Sequence, residues 1–371
     1  MPQYHHTLLA IAVATNTPVI LWGEPGIGKT ATIAAIARSL RLPLETVIAS
    51  IHEPSDFSGL PIPTGDEVTF APPSWAVRLA REGKGILFLD EISTAPPAVQ
   101  AALLRVVLEK TIDQFRLPEG IRIIAAANPP ELAAGGFELA PPLANRFVHL
   151  EWPAPSSGDW VTGFLQGFPD PTVPDAIPWQ EHFSLAQGLI AAFLTSRPEL
   201  LCRIPQDPSQ AGKAFPTPRS WEMASKMLAG ALAINPTDEG LIALAVGSAV
   251  GQGVGIELAA LVGGDVLLDP KEALSNPDHV HLPERDDKLL VLLSAATAHV
   301  ASHLDSPDFP DLWEAAWRLL ARSAREKAPD VAAVAVRPLY QIFRQSLSQG
   351  RFLKVNPSYL EPFSELLKEA K

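Results

Sequence analysis

The sequence holds one cysteine in 371 residues, so no internal disulfide can form. Cys202 reads as a small buried hydrophobe, and the scarcity of cysteine favours a reducing cytoplasm. Lysine and arginine are scattered, with no run beyond a pair, and the formal net charge is −12. A nucleic-acid binder usually carries a basic stripe, and none is visible, which makes nucleic acid an unfavoured partner. No uninterrupted apolar run reaches the ~18–20 residues of a membrane span. The longest candidate, Leu241–Val262, is interrupted by Gln252 and Glu257 and reads as one buried helix within Asp238–Val262, so no membrane partner is expected. The opening stretch MPQYHHTLLAIAVATN lacks a basic start and a cleavage-like site, so no signal peptide is expected. Charged residues make up only 19% against 47% hydrophobic, which excludes a disordered chain and leaves ample material for a core.

What is present has a clear order. At roughly 100–200 residues per domain the length suggests two or three domains. Short apolar runs read as buried parallel strands: Val19–Trp22, Leu44–Ala49, Ile86–Leu89, Arg122–Ala127 and Phe147–Trp152. Helix-period stretches alternate with them at Thr30–Arg41, Trp75–Arg81 and Pro97–Glu109, after a leading helix at Tyr4–Ala14. Alternating βα units imply an α/β fold whose parallel sheet is covered on both faces. Residues 153–180 are rich in Pro and Gly and read as a linker. Beyond them the pattern is all helical, with a polar, proline-punctuated break at 265–287.

Three stretches carry chemistry. WGEPGIGKT, residues 22–30, contains Gly23-x-x-x-x-Gly28-Lys29-Thr30 between a buried strand and a helix, which is the context a P-loop requires. Gly23, Glu24, Pro25, Gly26, Ile27, Gly28, Lys29, Thr30 and Ala31 are the expected nucleotide-binding segment. Backbone N–H groups and the helix N-terminus wrap the phosphates, Lys29 reaches the β- and γ-phosphates, and the Thr30 hydroxyl ligates Mg²⁺. ILFLDE, residues 86–91, delivers two acids at a strand's C-terminal edge, where open α/β sheets bind ligands. Asp90 is expected to hold Mg²⁺ through water and Glu91 to act as general base on a lytic water. AAANPP, residues 125–130, ends a strand in Asn128, whose amide can orient that water. Outside these stretches, His279 and His281 beside acids read as a solvated loop, and Trp22 as core.

The chain resembles the AAA+ superfamily and, within it, the MoxR-like ATPases. The likeness rests on GEPGIGKT, HEPSDFSGLP (52–61), ILFLDEISTAPPAVQAALL (86–104), AAANP (125–129), LAPPLANRF (139–147) and FPTPRSWE (215–222), and covers about residues 5–230. It implies a five-stranded core of order 5-1-4-3-2 over residues 1–152, a helical lid over 153–265 and an extra helical region over 266–371. By the same resemblance Asn128 corresponds to sensor 1, Arg146 to an arginine finger reaching the next subunit's nucleotide, and Arg219 to sensor 2, acting on its own or a neighbour's site. Residues 50–73 correspond to a helix-2 insertion, read as a hairpin around Thr64-Gly65-Asp66. The implied function is Mg²⁺-dependent ATP hydrolysis in a homo-oligomeric, hexameric ring, coupled to remodelling or maturation of a protein client. The client or adaptor would carry a von Willebrand A domain or help assemble a metal centre. The rival readings are a nucleic-acid-directed motor of the same superfamily and a nucleotide-gated scaffold with little turnover. The chain departs from the family in its compact hairpin at 111–122 and in Ser93-Thr94, where relatives often carry Asn-Arg.

Overall fold

The computed structural model describes residues 4–64, 66–129, 137–168, 176–263, 268–348 and 353–364. The first half alternates strand and helix: α1 (His5–Ala14), β1 (Val19–Trp22), α2 (Lys29–Ser39), β2 (Leu44–Ile48), α3 (Ser55–Ser58), a hairpin of β3 (Leu60–Thr64) and β4 (Glu67–Ala71), α4 (Ser74–Glu82) and β5 (Lys84–Asp90). It continues through α5 (Pro97–Glu109), a small hairpin of β6 (Thr111–Ile112) and β7 (Phe115–Arg116), β8 (Gly120–Ala127), α6 (Pro141–Ala144) and β9 (Val148–Glu151). Five of these strands form one sheet in the order β2-β5-β8-β1-β9, every neighbouring pair parallel.

Strand period explains why the sheet is covered on both faces. Successive side chains point to opposite faces, so one apolar strand feeds two cores. Ile20, Leu87, Leu89 and Ala125 enter the cluster built with α4 and α5. Their neighbours Val19, Leu21, Phe88 and Ile124 enter the cluster built with α1, α2 and the later helices. All four residues of β1 are buried, whereas edge strand β2 buries only Val47. The center strands therefore read as continuous apolar runs, while the edge strand does not.

The second half is helical: α7 (Ser157–Gln166), α8 (Trp179–Ser196), α9 (Pro208–Ala211), α10 (Pro218–Ile234), α11 (Glu239–Val250) and α12 (Gln252–Val262). Then follow α13 (Pro270–Ser275), α14 (Asp286–Ser302), α15 (Phe309–Glu326), α16 (Pro329–Ser348) and α17 (Pro357–Leu360). α14 joins two cores: Val291 and Ala295 pack with α8 and α10, while Leu289, Leu292 and Leu293 pack around Trp313 and Trp317 of α15. Gly188 of α8 permits that crossing, because a Cβ there would lie 2.5 Å from the backbone nitrogen of Ala295. Gly188→Ala is expected to cost about 1–3 kcal/mol by overpacking. A thermal melt that leaves the unfolding midpoint unchanged would refute this.

Four expectations are corrected. The stretch read as a linker, 153–180, contains α7, which is N-capped by Ser156 accepting from the Asp159 amide. Its residues 169–175 lie outside the described part. The single helix expected at Asp238–Val262 is two, broken at Gly251, whose φ of +96° stops α11. Gly255 then lets α12 fold back, since a Cβ there would sit 2.2 Å from the Ala243 carbonyl oxygen. Cys202 is exposed, not buried, because it follows a 3₁₀ turn at Pro198–Leu200 outside any helix face. The polar break at 265–287 holds α13, whose N-cap Asp269 accepts from the Lys271 amide. The expected hairpin at 60–71 is present, but Gly65 at its turn lies outside the described residues. Among the described residues no helix is long and apolar enough to cross a membrane.

Candidate functional site

The C-terminal ends of β1, β5 and β8 adjoin in the sheet, and the three chemical stretches leave from them. The Gly23 amide donates to the Ala127 carbonyl at 3.2 Å, which holds the start of the loop against the end of β8. Gly23 has no room for a side chain: a Cβ would lie 2.5 Å from the Trp152 carbonyl oxygen. Gly26 and Gly28 have φ of +80° and +94°, a backbone that L side chains resist. Gly28 is the N-cap of α2 and no side chain caps that helix. The first-turn amides, including those of Lys29, Thr30 and Ala31, have no acceptor within the helix, so they and the helix dipole form an anion site. Glu24, Pro25 and Gly26 are exposed at its rim and Ile27 is half-buried.

Lys29 is buried, and its ammonium donates to the Gly23 carbonyl at 2.6 Å, the Glu24 carbonyl at 2.9 Å and Asn128 Oδ1 at 2.9 Å. Those three acceptors match the three donors an ammonium has. Burial pushes its pKa down, opposed by the negative charges of Asp90 and Glu91. Thr30 Oγ1 donates to Asp90 Oδ2 at 2.9 Å, and Asp90 Oδ1 accepts from the Glu91 amide at 2.9 Å. Glu91 sits at φ +53°, a left-handed conformation that costs a non-glycine residue about 1–2 kcal/mol. Strain of this kind persists where the surroundings enforce it, often at a working site. Thr30 and Asp90 present adjacent hard oxygens beside the anion site, a donor set that suits Mg²⁺.

Two hydroxyls that the sequence reading passed over complete the cluster. Ser50 Oγ donates to Glu91 Oε2 at 2.8 Å and so holds the carboxylate. Ser93 Oγ donates to the Asn128 carbonyl and accepts from the Asn128 amide, both at 3.2 Å, which fixes the backbone of that residue. Ser50 stands two residues beyond β2, at the same sheet edge as the acids, and that position was the only signal available for it.

Among the described residues neither Arg146 nor Arg219 has a hydrogen bond or ion pair with a side chain of this cluster. The charged groups that perturb Arg146 are Arg219 and Glu109, whereas those perturbing Lys29 are Asp90 and Glu91. The two arginines therefore stand near one another. Their elements are tied through buried Asn145: its Nδ2 donates to the Phe215 carbonyl at 3.3 Å, and Thr217 Oγ1 donates to its Oδ1 at 2.8 Å. Thr217 is the N-cap of α10, and Arg219 is in that helix's first turn. Arg146 uses one nitrogen on the Pro142 carbonyl, while its buried Nε has no partner among the described residues. Burial, then the charge of Arg219, lowers its pKa.

His149, on β9, links the two groups. Its Nδ1 accepts from Trp22 Nε1 at 2.9 Å and its Nε2 donates to the Ala144 carbonyl at 3.0 Å. Burial pushes its pKa down to about 4, and burial does the same for His299. The unfolded chain takes up these protons near pH 6.5, the folded protein near pH 4, so between the two the unfolded state binds more protons. Stability is thus full above pH 6.5 and falls as the pH drops toward 4. Urea midpoints measured across that window are expected to decline; a flat series would show that the histidines are charged in the fold.

Residues 18–147 match the AAA domain, dynein-related subfamily. Protein MoxR of Methylorubrum extorquens is 32% identical over 146 residues, covering 38% of this chain and 42% of that one. The denitrification regulatory protein NirQ of Pseudomonas aeruginosa is 30% identical over 154 residues, covering 38% of this chain and 56% of NirQ. The matches span about half the length of these relatives. A crystal structure of a candidate ATPase from Cytophaga hutchinsonii superposes with a TM-score of 0.44 at 19% identity, over 69% of this chain and 79% of that one.

Proposed function

We propose that the chain is a MoxR-like AAA+ protein, its residues 18–147 matching an AAA domain, and that it hydrolyses ATP at the Lys29–Asn128–Asp90–Glu91 cluster. One observation carries this reading. The P-loop lysine, the Thr30–Asp90 pair, Glu91 and Asn128 converge within hydrogen-bond reach at one sheet edge. In the proposed roles the loop from Gly23 to Ala31 binds the triphosphate, and Lys29 exchanges its carbonyl acceptors for phosphate oxygens. Thr30 and Asp90 would hold Mg²⁺, which when bound neutralises charge on the phosphate oxygens. Asn128 orients the lytic water, and Glu91, once released by Ser50, takes its proton.

The finer parts of the reading belong to the same proposal. Numbered among themselves, the five sheet strands run 5-1-4-3-2, which supports the AAA+ core assignment. Residues 1–152 are the core, 153–265 the lid and 266–371 a further helical region. Arg146 completes a neighbour's site in a hexameric ring, and Arg219, near Arg146, acts on that site or on its own subunit's nucleotide. Energy from hydrolysis is spent on remodelling or maturing a protein partner, a client or adaptor that carries a von Willebrand A domain or helps assemble a metal centre, in a cytoplasmic setting that the single cysteine favours. Purified protein with ATP and Mg²⁺ should release phosphate, and EDTA should stop it. Release no faster than a protein-free blank would overturn the ATPase reading and leave a nucleotide-gated scaffold in its place.

A further inference from the structure

We infer that His149 is a positioning residue that ties the P-loop of its own subunit to Arg146, which serves the neighbour's site, and to Arg219 beside it. The inference rests on the ring reading above and adds a connection between two adjacent sites.

The link starts at Trp22, the last residue of β1 and the one before Gly23. An indole N–H can only donate, so Nδ1 of His149 must be the acceptor in the 2.9 Å bond between them. The second nitrogen therefore carries the proton and donates to Ala144, the last residue of α6. A single neutral tautomer satisfies both bonds. A second proton on the ring would turn Nδ1 into a donor facing a donor. The two ring planes lie within 12° of each other, and Lys213 covers the Trp22 ring at 4.7 Å while pairing with Glu151 at 3.3 Å. From Ala144 the chain runs directly into Asn145, whose side chain holds Phe215 and Thr217, and then into Arg146. A displacement of the P-loop thus reaches both arginines through two directional hydrogen bonds on His149, one peptide step and one buried amide.

Packing alone does not ask for this residue. β9 lies at the edge of the sheet, and a Phe or Leu at position 149 would bury no polar ring nitrogen but would leave the buried Trp22 indole N–H without its acceptor. Two hydrogen bonds fix distance and direction, which an apolar contact does not.

The test uses the full chain. His149→Phe keeps a flat ring and removes both bonds, while His149→Gln restores one acceptor and one donor. Trp22→Phe removes the same link from its other end, in case the first variant folds poorly. Three quantities are measured: affinity of dilute protein for a fluorescent ATP analogue, turnover per protomer against protein concentration, and urea midpoint. We expect His149→Phe and Trp22→Phe to bind the analogue within about twofold of the natural protein and to lose about tenfold of the concentration-dependent turnover, the loss of about 1.4 kcal/mol of positioning energy. Gln should recover most of it. If the natural protein turns over strongly with concentration and both variants do the same, His149 has no such role. If affinity, turnover and urea midpoint fall together and Gln rescues none of them, His149 is structural only. A natural protein whose turnover per protomer ignores concentration overturns the ring reading, and this inference with it.

Discussion

Glu91→Gln is expected to bind ATP with near-natural affinity and to hydrolyse it about 10²–10⁴-fold more slowly. The geometry separates the two effects. In the proposed roles phosphate binding draws on the loop amides and Lys29, none of which is hydrogen-bonded to the Glu91 side chain among the described residues, although its charge acts on Lys29. The Glu91 carboxylate instead accepts from Ser50, and its backbone amide is held by Asp90. An amide side chain keeps the shape and can still pair with Ser50, but it cannot take a proton from water at neutral pH. The left-handed backbone at Glu91 is retained because Asp90 Oδ1 and the following turn enforce it. Single-turnover hydrolysis and equilibrium binding by the same preparation decide the matter. Unchanged turnover would remove Glu91 as the base, while lost binding would show that the carboxylate shapes the loop.

Much of this site was legible in the sequence, and the parts that were not share a physical cause. The P-loop and the acid-ended strand could be read because apolar runs, glycines and acids at fixed spacing are local signals. Strand limits came within about two residues for the same reason, as at Val19–Trp22 and Leu44–Ile48. The Ser50–Glu91 and Ser93–Asn128 pairings join residues 41 and 35 positions apart, and a lone serine carries no sign of its partner. α7 was missed because its apolar residues do not face a core: Trp160, Phe164 and Leu165 are exposed, so no buried stripe marks the helix. The break at Gly251 was missed because an apolar, glycine-containing run fits one long helix as well as two folded together. His149 looked like an ordinary strand residue, since its two partners come from β1 and α6.

Arg146→Ala is expected to lower turnover by about 10³–10⁵-fold while leaving ATP affinity in dilute protein unchanged. The argument starts from charge. Two guanidinium groups stand close enough to depress the pKa of Arg146, after burial itself. The nearby acid, Glu109, accepts from Arg105 and Thr111. The buried Nε of Arg146 has no partner among the described residues, an arrangement that costs about 1–3 kcal/mol if nothing completes it. Such a cationic pair suits an anion, and on the proposed ring reading the triphosphate of a neighbouring P-loop would supply it. Arg146→Lys should rescue little, because an ammonium lacks the planar fork that grips a transferring phosphoryl group at two points. On the proposed ring reading, turnover per protomer of the natural protein should rise steeply with concentration, because each site would be complete only between subunits. In Arg146→Ala that rise should vanish, and adding Glu91→Gln subunits, which retain Arg146, should restore part of the hydrolysis at Arg146→Ala sites. Turnover of Arg146→Ala equal to that of the natural protein would sink the assignment. A mixture with no more activity than its components would show that the arginine acts within its own subunit.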